Sequence, residues 1–184
     1  MIQIPTLETE RLILRGPVAD DFEPLADFFA DPERSPGFGG PLGRADAWRW
    51  FASSIGHWNL RGYGFWTVLQ KADSEPCGIV GLWHPEGWPE AELGWVMFEN
   101  AEGKGIAFEA ALAARDYAFS QMGFATLTSN IVPGNDRSVA LAERLGATFE
   151  REYENDHMGV TRMYRHPAPN AEAADADGGM EAYA

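Results

Sequence analysis

The chain has 184 residues, enough to bury a sizeable core, and its 45% hydrophobic and 12% aromatic content marks a globular protein rather than a disordered one. No apolar run approaches the ~20 residues of a membrane helix, and the opening MIQIPTLETERLILR lacks the basic-then-apolar layout of a secretion signal. A formal net charge of -14 argues against nucleic acid as a partner, and the single cysteine, Cys77, excludes an internal disulfide framework, so the cytoplasm is the expected location.

In chain order, Leu12 to Arg15 reads as a strand bounded by turn residues at Gly16 and Pro17. Asp20 or Asp21 can cap a helix carrying Phe22, Leu25, Ala26 and Phe29, which must end before Pro32. A Gly/Pro-rich loop from Ser35 to Gly43 precedes a second helix, about Arg44 to Leu60, with Trp48, Phe51, Ile55 and Trp58 spaced for one face. Three strand-like runs follow, Phe65–Gln70, Gly78–Trp83 and Ala91–Phe98. Their short, breaker-rich connections favour antiparallel hairpins. The period then changes: Ile106 to Met122 is alanine-rich and helical, and Gly123 stops it. A strand over Phe124–Val132, a helix from Asp136 to Leu145 and a closing hairpin of Phe149–Glu154 with Val160–Arg165 complete the body. From Pro167 onward there are four acids and no Lys or Arg. The expected organisation is therefore one domain over residues 1–166 and a disordered acidic tail over 167–184.

The segment with the most chemistry is ELGWVMFENAEGKGIAFEA. A strand runs into Gly103-Lys104-Gly105-Ile106-Ala107 and a helix begins at once. Two glycines and a small residue let a ligand approach the backbone, and a helix start aims unpaired N–H groups at it, which makes a diphosphate cradle. Lys104 can add a point charge. A Walker loop would need Ser or Thr after Lys104, where Gly105 stands, and a dinucleotide fingerprint would need a third glycine at Phe108. The bare alternative is a tight strand-to-helix turn. Downstream, Asn135-Asp136-Arg137-Ser138 opens a helix and reads equally as a local N-cap.

As a set, the cradle, the N-x-x-S element, LGATF, the opening TERLILR and the segment YGFWTV resemble the GNAT acetyltransferase superfamily over about residues 6 to 166. Within it, TERLILR, YGFWTV and AELGWVMFENAEGKGIAFEA together look like the branch that contains the ribosomal-protein N-terminal acetyltransferases. Glu102 departs from the pattern, standing where the family commonly has Gln or Arg. The resemblance implies an α/β (α+β) fold with a mixed, mostly antiparallel sheet of about 6–7 strands flanked by about four helices. It also implies acetyl-CoA as acyl donor, an amine-bearing small molecule or a protein N-terminus as acceptor and a possible homodimer. Four scattered histidines and one cysteine lack metal-site spacing, so no metal is expected, and the lack of a long apolar run leaves no membrane partner expected. A longer acyl-CoA donor and a non-catalytic acyl-CoA-binding module of the same fold stay open as alternatives.

Carried onto this chain, the resemblance puts a β-bulge in the Ala91–Phe98 strand, with the main chain of Val96, Met97 and Phe98 against the cofactor. Gly103 to Ala107 (with Lys104, Gly105 and Ile106) would hold its diphosphate, Asn135 the pantetheine amides, and Ser138 would donate to the departing thiolate or hydrogen-bond the cofactor. Glu92 is the expected general base: by alternation it shares a face with Gly94, Val96 and Phe98, and Gly94 leaves room beside it. Glu90 is the fallback, and Tyr153 and Tyr164 are further candidate acids. His57 is a candidate substrate contact, Trp48, Trp58 and Trp88 are candidate walls of the acceptor pocket, and Cys77 reads as buried packing rather than as a nucleophile.

Overall fold

A computed structural model describes residues 3–167. The expected tail therefore falls almost wholly outside the described residues. The elements are β1 (Leu7–Glu8), β2 (Leu12–Arg15), α1 (Phe22–Ala30), α2 (Arg44–Arg61), β3 (Phe65–Gln70), β4 (Pro76–Trp83), β5 (Glu92–Met97), α3 (Ile106–Ser120), β6 (Thr128–Ile131), α4 (Asp136–Arg144), β7 (Thr148–Asn155) and β8 (Gly159–Arg165). Short 3-10 turns cover Ala19–Asp21, Pro36–Phe38 and Glu99–Ala101. None of the described helices is long and apolar enough to cross a membrane.

The strands form one sheet in the order β1-β2-β3-β4-β5-β6-β8-β7, mixed α/β as expected but with eight strands rather than six or seven. The extra strand is β1, whose two residues pair with Leu14 and Ile13 and are too few to show a period. All pairings are antiparallel except β5 with β6, which run parallel and meet only at Glu92 and Thr128. Beyond that point the two strands splay apart. The expected strand Phe124–Val132 shrinks to Thr128–Ile131 for the same reason: only those residues find a full partner, in β8.

Alternation along the central strands sorts side chains onto two faces. On one, Trp66, Val68, Val80, Leu82 and Leu93 pack against α3, whose Ala110, Ala111, Ala114 and Ala118 are wholly buried and let the helix lie close to the sheet. On the other, Phe65, Ile79, Trp83, Val96 and Phe98 pack against α1 and α2. The face expected for α2 is rotated in the fold. Phe51 and Trp58 are buried, but Trp48 is 50% exposed and lies edge-on to Phe22, because Ala47, Ser54 and His57 complete the inward stripe. Asp21 sits at the start of α1 without capping it. Its carboxylate instead accepts from Arg15 (2.7 and 2.8 Å), the Val18 N–H and the Thr67 hydroxyl. That buried group is satisfied by β2 and β3 rather than by its own helix.

Candidate functional site

A cavity of about 570 Å³ opens where β5 and β6 part. Its walls include Trp50 of α2, Trp83 of β4, Trp88 of the following loop and Trp95 of β5, with the Ser35–Gly43 loop and the β7–β8 turn over it. Glu92, Asn135 and Ser138, far apart in sequence, all line this one cavity.

Glu92 is buried at the apex of the splay. Asn130 Nδ2, on β6, donates to its Oε2 at 2.5 Å. Burial pushes the Glu92 carboxyl up to about 7, against the opposing pull of Asn130 and of the nearby Trp88 indole. Around it the Asn130 Oδ1, the Trp88 indole N–H and the Tyr153 hydroxyl are buried without a well-formed hydrogen bond. Burial raises the pKa of Tyr153, and the Glu92 charge adds to that rise. A Cβ on Gly94 would come within 3.1 Å of the Phe65 ring, so this glycine keeps the wall beside the carboxylate thin.

The main chain of β5 supplies a second feature. Its register with β4 runs unbroken from Glu92 to Met97, so the expected bulge is absent there. Exposed main chain arises differently, by the divergence of β6. Phe98 N–H donates to Cys77 O at 2.8 Å, and antiparallel alternation then turns Glu92, Gly94 and Val96 towards β4 and Leu93, Trp95 and Met97 towards the opening. Consistent with this, Ser129 Oγ donates to Leu93 O at 2.7 Å and Arg34 Nη2 to Met97 O at 3.1 Å. Of the expected main-chain contacts, Met97 faces the opening, while Val96 and Phe98 are held by β4 with side chains in the aromatic core.

The third feature is the start of α3. Gly103 and Gly105 have φ of +72° and +75°, the left-handed region that glycine enters without strain. The first bond within the helix is Glu109 N–H to Gly105 O, leaving the N–H groups of Ile106, Ala107 and Phe108 ahead of it. A Cβ on Gly103 would meet nothing within 4 Å, so the approach is open. These donors suit a diphosphate. Lys104 is turned back on its own loop, its Nζ donating to Asn100 O at 2.7 Å.

On α4, Asn135 Oδ1 accepts from Ser138 N–H at 3.2 Å, so the N-cap reading holds in the fold. The Asn135 amide nitrogen is pressed against Gly37 of the covering loop, where a Cβ would approach to 2.4 Å. Ser138 Oγ accepts from the Trp95 indole at 3.2 Å, which leaves its own proton to donate.

Other candidates are placed elsewhere. Glu90 is tied to Arg165 (2.8 Å to its Nη2) and is not part of the cavity wall. Tyr164 packs edge-on with Phe149. Trp58 is fully buried with its indole donating to Phe65 O, and Trp48 lies on the outer surface, so of the three proposed pocket tryptophans only Trp88 lines the cavity. Both His57 nitrogens are used: Nδ1–H donates to Tyr63 O at 2.6 Å and Nε2 accepts from His84 N–H at 3.1 Å. Burial lowers its pKa, and the neutral ring stacks on Trp83 at 4.5 Å. His57→Ala should therefore cost about 2–4 kcal/mol in urea unfolding, by stranding two main-chain groups, while acceptor KM moves little. Cys77 is buried, its thiol donates to Val68 O, and burial pushes it up to about 12. Cys77→Ser should keep turnover within about twofold, and iodoacetamide should label the native thiol only on unfolding.

Asn130, Trp50 and Trp83 line the cavity, and Arg34 and Arg137 meet at Glu102 ahead of α3, yet all five escaped sequence reading. Arg137 alone carried a signal, through its place inside the N-x-x-S element.

Comparison with known proteins agrees with this geometry. The Acetyltransferase (GNAT) domain family matches residues 11–148. The chain is 38% identical to an acetyltransferase of Agrobacterium tumefaciens str. C58 with a crystal structure (TM-score 0.83), covering 91% of this chain and 96% of that one. It is 28% identical over 172 residues to the [ribosomal protein uS5]-alanine N-acetyltransferase of Escherichia coli (strain K12), covering 86% of each. A structure of RimL, the ribosomal L7/L12 alpha-N-protein acetyltransferase, in complex with coenzyme A shares the fold at 17% identity (TM-score 0.73; 91% and 99% covered). The chain is an acyltransferase and belongs to the GNAT acetyltransferase family.

Proposed function

We propose that this protein transfers an acetyl group from acetyl-CoA directly to a primary amine held in the cavity, with Glu92 as general base. The buried Glu92 carboxylate at the apex of the β5–β6 splay is the observation that carries the reading. A pKa near 7 keeps a useful fraction ionised at neutral pH while leaving it basic enough to take a proton. Acetyl-CoA supplies the activated thioester carbonyl. The helix start at Gly103 to Ala107 binds the diphosphate, and the Met97 main chain orients the pantetheine arm. An N–H of β5 that faces the opening, on Trp95 or Met97, polarises the thioester carbonyl as charge develops on its oxygen.

Asn130 Oδ1 and the Glu92 carboxylate converge on the space where an amine must sit, and the aromatic walls exclude water from it. Glu92 takes the first ammonium proton directly or through one water. As the adduct collapses, the second nitrogen proton passes by way of the Ser138 hydroxyl, which gives its own proton to the leaving sulfur and is reprotonated. The relative that acts on the alanine of uS5 makes a protein N-terminus one acceptor class, and small primary amines are the other.

Calorimetry with acetyl-CoA, followed by a thiol-release assay across an N-terminal peptide and small-amine panel, tests the proposal. Binding together with acetylation of at least one amine supports it. Binding without turnover on any amine would favour a non-catalytic acyl-CoA-binding module, and longer acyl donors belong in the same panel. We also propose that residues 1–166 suffice for turnover. Deletion from Pro167 should leave kcat intact, and a large fall would refute that.

A further inference from the structure

Glu102, the residue that departs from the family pattern, is held by two arginines from different parts of the chain. Arg34 Nη2, in the loop after α1, donates to its Oε1 at 2.5 Å. Arg137 Nη1, in the first turn of α4, donates to its Oε2 at 2.9 Å. The same Arg34 nitrogen also donates to Met97 O. The line Arg34–Glu102–Arg137 thus crosses the mouth of the splay, immediately ahead of Gly103.

Two guanidinium groups converging on the two oxygens of one anion are the geometry that also takes phosphate oxygens. The chain has only 14 Lys and Arg against 28 acids, so a polyanionic ligand is repelled by the body as a whole and depends on local cations. The loop's own Lys104 donates to Asn100 O and Arg11 is engaged by Glu109 and Lys104 O, which leaves Arg34 and Arg137 as the pair whose shared partner, Glu102, can be exchanged. Glu102 is 38% and Arg137 86% exposed on their side chains, so the bridge between them is weak and easily exchanged.

We propose that Arg34 and Arg137 form a two-arginine diphosphate site, and that Glu102 fills it as an internal anion until the cofactor displaces it. Glu102 therefore sets how tightly CoA is held, by competition rather than by contact. This rests on the assignment of CoA to the α3 start.

Calorimetry on the full chain tests it with CoA and with acetyl-pantetheine, which lacks the diphosphate. Glu102→Gln should bind CoA about 3- to 10-fold tighter, since one competing charge is removed at a screened surface. Arg137→Ala should bind CoA about 10-fold more weakly and with a shallower salt dependence. Neither change should move the acetyl-pantetheine affinity. A folded Glu102→Gln protein, checked by its melting temperature, that binds CoA no tighter than wild type would overturn the proposal and leave the bridge purely structural. Equal effects on CoA and acetyl-pantetheine would overturn it too. Wild type that fails to bind CoA at all would instead remove the cofactor assignment on which the proposal depends.

Discussion

Glu92→Gln should lower kcat/KM for an amine acceptor by about 100- to 10,000-fold, the usual contribution of a positioned general base. Acetyl-CoA affinity should hardly change, because the carboxylate lies on the amine side of the splay. The pH profile carries the sign. Only ionised Glu92 accepts a proton, so kcat/KM of the wild type should rise with pH through about 7, and this limb should vanish in the variant. Stability should move the other way. A carboxyl whose folded pKa lies above its unfolded value near 4.5 stabilises the fold fully below 4.5, and that contribution is lost as pH rises through about 7. At pH 8 the wild type therefore carries a buried charge that Gln does not. Glu92→Gln should be the more stable protein there by up to about 3 kcal/mol, and the two should converge near pH 4. A variant that is both inactive and less stable at pH 8 would point to a structural role for Glu92 instead.

Gly105→Trp should weaken acetyl-CoA binding by at least about 100-fold, enough to remove the melting-temperature increase that the ligand gives the wild type. Two effects combine. A φ of +75° costs a side-chain-bearing residue roughly 1–2 kcal/mol, and the indole, starting 3.7 Å from Arg11 Nη2, adds bulk at the entry to the α3 start. The backbone cost alone should lower the melting temperature by only about 2–8 °C, so the variant remains folded at assay temperature. Gly105→Ala separates the two effects: it keeps the strain, omits the bulk and should lose far less affinity. Undiminished binding in Gly105→Trp would place the cofactor elsewhere.

The long elements were legible because their patterns are local. The alanine-rich stripe of α3, the alternation in β3 to β5 and the stop at Gly123 depend on neighbours three or four residues away, as do the glycine turn ahead of α3 and the N-cap at Asn135. Even the shared face of Glu92 and Gly94 follows from a period of two. Composition and these motifs, taken as a set, were enough to indicate the family.

The rest depended on which distant residues meet. The length of β6 is decided by β8, and the opening that replaces the expected bulge comes from β5 and β6 sharing one paired position before they diverge. The raised pKa of Glu92 comes from its burial in the assembled cavity wall, and Asn130, which bonds the carboxylate, lies 38 residues away. Asp21 abandons its helix for Arg15 and Thr67, and Glu102 finds Arg34 and Arg137, 68 and 35 residues away. Periodicity and turn chemistry are properties of a segment, and so the sequence by itself determined the long elements, the glycine turn at the start of α3 and the family. Burial, charge pairing and the splay of the sheet are sums over contacts between segments, and only the tertiary structure could decide them.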